Sequence, residues 1–293
     1  TTYKNTKMKK LVSVASVMAV ICILAVGCEA NAPTLGSKEL QDNAFFSVSA
    51  ESRVVFSQGN LQYQATTDSW RFAENQYDII GNDNSNISET YAGWIDLFGW
   101  GTGSEPTNVG VRNSDYPKFK DWGRNKIGAD KKNTWRSLTS DEWDYLLNGR
   151  TGADKLHGIA QVNGVNGLVL LPDKYWVCID EQTNALILDG IRFKPGFSGK
   201  DSDGNGEYYA DYQVYTKEEW VELEKKGAVF LPAAGYRNPQ GDFIHNVRYN
   251  GYYWTASEEG DLYAWRLDFG SKNYLISNTN RCIGRSVRLV RDI

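Results

Sequence analysis

The sequence predicts an α+β fold, with two short helices set into many short strands. Three observations carry that expectation. Glycine is abundant, 28 in 293 residues, which favours frequent turns over long helices. The pattern Thr-x-x-Glu-Trp occurs twice, at Thr139–Trp143 and Thr216–Trp220, and each copy reads as a capped helix start. Between them, Asn163-Gly164 separates two apolar runs and supplies the two positive-φ residues of a type I′ hairpin. Aromatics make up 13% of the chain, with 10 Trp and 17 Tyr. That much apolar surface suits a folded core, and the length suffices to bury one.

Taken in order, the chain opens on a processing segment. Lys9 and Lys10 follow the first methionine, Met8, and Leu11–Val26 is apolar. This run of 16 residues is shorter than the ~20 of a membrane span. It ends in Leu24-Ala25-Val26-Gly27-Cys28, which resembles a bacterial lipobox with Ala25 where Leu is usual. The match implies a leader over 1–27, a lipid on Cys28 and a polar tether over 28–42. The alternative is an ordinary cleaved signal. Without the four lysines of residues 1–27, 28 basic side chains face 36 acidic ones, a net of −8. No basic cluster remains to neutralise a phosphate backbone, so nucleic acid is not an expected partner.

From Asn43 onward the pattern is that of one domain, 43–293. Phe45–Val48 and Arg53–Phe56 are short apolar runs, and Leu61–Tyr63 and Trp70–Phe72 alternate like strands. Gly81–Asn86 is a polar loop. Trp94–Gly101 is an aromatic patch whose glycines lack the following helix that a phosphate loop needs. Gly103–Lys132 has no periodicity and reads as a long surface loop. In the first helix Trp143, Leu146 and Leu147 share a face, and Asn148-Gly149 stops the run. Leu168–Leu171 is apolar throughout, the mark of a strand covered on both sides. In the second helix Leu223 shares the face of Trp220, and Gly227 ends it. Ala228–Pro232 then echoes Leu168–Pro172.

The last stretch, Gly251–Ile293, carries the candidate binding face. In Leu262–Phe269 the residues alternate. Tyr263, Trp265, Leu267 and Phe269 form the natural core face, joined by Trp254 and Val287. Arg266 and Asp268 are then expected in solvent, beside Glu258, Glu259, Asp261, Lys272, Asn273, Tyr274, Asn278 and Asn280. Loops at the rim of a rigid scaffold are where binding concentrates. Tyr and Asn give contact area and adaptable hydrogen bonds. A solvated hairpin edge is the plain alternative, and Trp94–Trp100 is the second-choice site.

Chemistry elsewhere is sparse. The only histidines, His157 and His245, stand alone. Asp201, Asp203 and Asn205, with Gly206, match positions 1, 3, 5 and 6 of a calcium loop, but Tyr212 stands where a bidentate Glu belongs. No metal and no cofactor are expected. Cys178 and Cys282 remain as either a bridge or two separate thiols.

Trp135–Thr139 with Glu142-Trp143, Gly227–Arg237, Gly251–Ser257 and Ser286–Arg291 together resemble the Fibrobacter succinogenes major paralogous domain family, common among Bacteroidetes lipoproteins. The resemblance covers about Phe45 to Asp292. It implies a C-type-lectin-like fold in which the terminal strands pair. The same fold carries the variable proteins of diversity-generating retroelements, whose variable residues sit just before a fixed last strand, as Glu258–Asn280 does here. Trp135–Trp143 is also similar to a stretch of the sulfatase-activating enzymes, but their chemistry needs a cysteine pair near the C-terminus, and only Cys282 lies there. The calcium-lectin triplets Glu-Pro-Asn and Trp-Asn-Asp are missing, with Glu105-Pro106-Thr107 the nearest approach. The expectation is therefore a lipid-anchored, outer-membrane binding protein. It takes a protein or glycan ligand without calcium and touches the membrane only through its lipid. The alternatives are a structural subunit of a surface adhesin complex, or an enzyme related to the sulfatase-activating group.

Overall fold

A four-stranded sheet divides the core into two layers in the computed structural model, which describes residues 44–178, 180, 182–200, 207–240 and 243–293. The expected leader, Cys28, the expected tether and the calcium-loop candidates Asp201, Asp203 and Asn205 lie outside the described residues. The strand order is Val214–Tyr215, His157–Val162, Val165–Leu170, Val229–Pro232. Asn163 and Gly164 turn the central hairpin with φ of 47° and 78°, as a type I′ turn requires.

Leu168, Val169, Leu170 and Leu171 are all fully buried. Leu168 and Leu170 join one core cluster, Val169 and Leu171 the other. Period-two alternation thus splits an unbroken apolar run between two covered faces. The echo of that run, Val229–Pro232, pairs with it antiparallel, with Leu231 opposite Leu168.

Each layer is closed by one of the two capped helices. Lys217–Lys225 buries Trp220 and Leu223 on one side of the sheet. The Glu219 amide donates to Thr216 Oγ1 at 3.2 Å, and the Thr216 amide to Glu219 Oε2 at 2.8 Å. The chain leaves this helix at Gly227, whose φ of 91° costs glycine least. On the other side, Ser140–Asp144 has the same reciprocal cap between Thr139 and Glu142. A π turn, Tyr145–Gly149, extends it. Trp143, Leu146 and Leu147 are buried there.

The two ends of the domain meet. Val290–Asp292 pairs antiparallel with Arg53–Phe56, which pairs in turn with Phe46–Ser47. Arg136 ties this pairing to the first helix cap. Its Nη2 lies 2.7 Å from Glu142 Oε1 and 2.8 Å from Asp292 Oδ1. Short, mostly antiparallel sheets with few helices make this an α+β architecture. All described residues belong to one compact unit, Ser37–Ile293, and no described helix is long and apolar enough to cross a membrane.

Two expectations are corrected. The patch Trp94–Trp100 is core rather than a surface loop. Ile95, Leu97, Phe98 and Trp100 are buried, and the Trp100 indole donates to Thr255 O at 3.0 Å. The stretch 103–132 is irregular yet anchored, because Tyr116, Trp122 and Ile127 are buried. Irregularly spaced anchors leave no period to read. Cys178 and Cys282 are not joined to each other.

Candidate binding face

The terminal sheet is antiparallel, in the order Gly251–Glu259, Tyr263–Phe269, Tyr274–Asn280. Both of its faces are covered along the middle. Tyr253, Leu267 and Phe269 pack into the layer of the first helix. Trp254 and Ala264 pack the other way, onto Val287, Leu289 and the aromatic N-terminal region. A register shift between Trp254 and Glu258 frees the hairpin tip from this packing.

The expected core face is therefore only half right. Leu267 and Phe269 are buried, but Tyr263 is 43% exposed and Trp265 is half-buried. Here the sheet outruns the layer that covers it. The Trp265 indole donates to Glu259 Oε2 at 2.9 Å instead.

Arg266 and Asp268 were expected in solvent, and their side chains are only 14% and 20% exposed. They pair at 2.9 Å, and Arg266 Nη1 donates to Asn278 O at 2.6 Å. The chain just before the last strand pairs along the free edge of Gly251–Glu259 and brings the Arg285 side chain over this face. The Trp254 amide donates to Ser286 O and the Ser286 amide to Tyr252 O, both at 3.0 Å. Arg285 is laid over the rings of Tyr252 and Trp254, at 4.8 and 5.3 Å. Tyr274 also departs from expectation, because it sits on the core side. Its ring meets His157 edge-on at 5.3 Å and lies 5.8 Å from Phe197. Its hydroxyl bonds Asn148 Oδ1, and burial raises its pKa.

The candidate residues consequently fall at two ends of the sheet. Glu258, Glu259 and Asp261 are exposed at the first hairpin tip. Asn278 and Asn280 flank that end, where Asn280 Oδ1 accepts from Asn113 Nδ2 at 2.9 Å. Lys272 and Asn273 lie at the opposite turn, near Asp268. A seven-residue strand separates the two ends, roughly 20 Å.

The second end holds a pocket of about 560 Å³, open to solvent, whose lining includes Asn250, Tyr252, Asp268, Lys272, Asn273 and Leu275. Burial raises the pKa of Asp268, and Arg266 opposes that shift. Burial, then the neighbouring Arg266, pushes Arg285 down to about 9, so it stays cationic at neutral pH. Among the other lining residues, Asn250, Tyr252 and Leu275 were not anticipated. Tyr252 belongs to the GYYWTAS block, taken as structural, while Asn250 and Leu275 carried no pattern of their own. The signal lay in the alternation of that block, because Tyr252 must point away from buried Tyr253.

The histidines do not meet. His157 is buried, with Nδ1 2.8 Å from Ala153 O, and His245 stacks on Tyr236 at 5.1 Å. Among the described residues no three His, Cys, Asp or Glu converge as a metal site would require. No curated protein and no solved structure matches the chain. Residues 212–290, from the approach to the second helix through the terminal sheet, match the family described as "Domain of unknown function (DUF8237)".

Proposed function

We propose that the chain is a cell-envelope lipoprotein whose C-type-lectin-like domain binds a protein or glycan at the terminal sheet, without calcium, cofactor or catalysis. The observation that carries the binding reading is the 560 Å³ pocket at the Lys272–Asn273 turn. It combines an aromatic wall, a carboxylate, amides and one exposed leucine, the mixture that small binding sites use. The lectin-like reading is supported by the pairing of Val290–Asp292 with Arg53–Phe56 and by the two capped helices. The resemblance is the ground for the name of the fold, and the pocket is what supports the binding role.

A glycan and protein array probed with residues 43–293, with and without chelator, tests the binding. Asn273 and Leu275 are both exposed, so Asn273→Ala with Leu275→Ala should leave the melting temperature unchanged. Capture of the array's best ligand should fall roughly tenfold, about 1.4 kcal/mol. Equal capture by parent and variant would place the site elsewhere. The anchor has its own test. In the full chain, Cys28→Ala should abolish palmitate labelling and release the protein from the membrane fraction, and persistent labelling would rule out this anchor.

A further inference from the structure

The terminal sheet ends on one side in a strand that the fold leaves unpaired. The sheet order is Gly251–Glu259, Tyr263–Phe269, Tyr274–Asn280, so Tyr274–Asn280 is an edge. Across the turn, the Gly270 amide donates to Asn273 O at 2.9 Å. Pairing then runs without a shift from Tyr274 opposite Phe269 to Asn280 opposite Tyr263. Antiparallel alternation therefore turns the amides and carbonyls of Tyr274, Ile276, Asn278 and Asn280 away from the sheet. Arg266 Nη1, which donates to Asn278 O, marks that outer side. Among the described residues the amides of Tyr274, Ile276 and Asn278 have no partner.

The other sheet edges among the described residues are closed or short. The far edge of the same sheet bonds the chain at Ser286 through the Trp254 amide and the Tyr252 carbonyl. On Val229–Pro232, the Phe230 amide donates to Gln76 Oε1 and Phe230 O accepts from Arg288. The remaining edge strands are two to four residues long. Tyr274–Asn280 has seven residues, Tyr-Leu-Ile-Ser-Asn-Thr-Asn, with no charge, no proline and no bulge. It thus lacks the devices that keep a sheet edge from pairing. Leu275, Asn278 and Asn280 are exposed along it.

We infer that this edge pairs with the same edge of a second copy of the chain, antiparallel about a two-fold axis at Ser277. In that register Ser277 faces its own copy, Ile276 faces Asn278, Leu275 faces Thr279 and Tyr274 faces Asn280. All seven residues are used, and the outward groups meet in up to about eight backbone hydrogen bonds. The contact closes at two copies, because the outer edges of the resulting six-stranded sheet are the ones bonded to Ser286. Charge favours this direction of approach. Glu258, Glu259 and Asp261 lie at one end of the sheet and Lys272 at the other. Antiparallel pairing turns each acidic end toward the partner's Lys272 turn, about three strand spacings or ~14 Å away, whereas parallel pairing would set acid beside acid. The strip buried is well below the ~800 Å² per partner of a standard interface, so the dimer is weak, with a Kd on the order of 100 µM. The two-fold axis stands normal to the sheet and puts both Lys272–Asn273 pockets on one face. On the reading that the pocket binds ligand, a repetitive ligand then has two attachment points.

Sedimentation velocity of residues 43–293 from about 5 to about 500 µM should show a monomer–dimer equilibrium. Under mild oxidation Ser277→Cys should form an intermolecular disulfide, because its Cα lies about 4.5 Å from that of its own copy. Leu275→Cys should not, although Leu275 is the more exposed, since its own copy lies about 13 Å further along the strand. The parent, with Cys178 and Cys282, is the blank. Asn278→Lys, and separately Asn278→Pro, should weaken the dimer at least tenfold with an unchanged melting curve, because the Asn278 amide bonds nothing in its own sheet. Exchange of the Ile276 and Asn278 amide hydrogens should slow as the concentration rises. A monomer at every concentration, equal dimerisation by both Asn278 variants, or Leu275→Cys cross-linking as fast as Ser277→Cys overturns the inference. Slowed exchange of these amides only when a different protein is added would give the edge to a foreign strand, and that too overturns the self-pairing.

Discussion

Replacing Arg281 by Met should destabilise the domain by about 3 kcal/mol, through three backbone carbonyls left without donors. Arg281 is 1% exposed. Its Nε donates to Tyr263 O at 3.0 Å, Nη1 to Tyr116 O at 3.1 Å and Nη2 to Gly260 O at 2.7 Å. The guanidinium also stacks on Trp100, 4.3 Å from the ring centroid. One side chain thus pins the first hairpin tip to the otherwise irregular stretch around Tyr116. Methionine fills the space along Trp100, so the loss is one of hydrogen bonds rather than volume. Gly260 and Tyr263 are exposed, and water can reclaim part of their share, which keeps the estimate below the sum of three buried losses. For a domain of this size the shift is about 10 °C in melting temperature. Arg281→Lys should lose less, since an ammonium keeps the charge but cannot fork across three carbonyls. Urea unfolding of residues 43–293 gives the number, and a loss under about 1 kcal/mol for Arg281→Met would mean that the tip is held by the strands alone.

What could be read from the sequence, and what could not, divides along the range of the interactions. The two helix starts were legible because a capping box closes within four residues, Thr139 to Glu142 and Thr216 to Glu219. The hairpin at Asn163-Gly164 was legible for the same reason. Leu168–Leu171 was legible because burial on both faces leaves no polar position in the run. The closing GRSVRLVRD was legible as structural, but its arginines were not. Arg288 is 2% exposed. It donates to Ser57 O at 3.0 Å and to Phe230 O, partners 231 and 58 residues away. An arginine is ordinarily a surface residue, and no local pattern announces a distant carbonyl. The same limit governs the candidate site. Alternation correctly put Arg266 and Asp268 on the face opposite Leu267, but whether that face meets water or another layer is a tertiary matter. The Arg285 side chain, lying over the Tyr252 and Trp254 rings beside them, decides it. Tyr274 was missed for a related reason. Its polarity suggested solvent, while its pairing opposite Phe269 places it on the core side.

Between pH 7 and pH 5 the contributions of His157 and Asp96 to the stability of the parent domain should nearly cancel, because these two buried groups pull in opposite directions. Burial, and then the neighbouring Arg150, lowers His157 from 6.5 to about 4. The unfolded chain therefore takes up this proton first, and stability is lost as the pH falls below 6.5, by up to about 3 kcal/mol near pH 4. Asp96 is fully buried and accepts from Asn84 Nδ2 at 2.7 Å and from the Ile80 amide at 3.1 Å. Burial raises its carboxyl from 3.8 to about 6. Here the folded chain takes the proton first, so stability is gained as the pH falls through 6, by a similar amount. Removing either group should expose the other. His157→Asn can keep a donor toward Ala153 O and should gain about 1 kcal/mol on going from pH 7 to pH 5. Asp96→Asn should instead lose about 2 kcal/mol over the same interval. Both variants will be less stable than the parent at pH 7, His157→Asn through lost ring contacts and Asp96→Asn through an amide set against the Ile80 amide. The slopes, not the absolute values, are the readout. Urea unfolding at pH 7, 6 and 5 measures them, and parallel profiles for all three proteins would show that neither buried group governs the acid response of the fold.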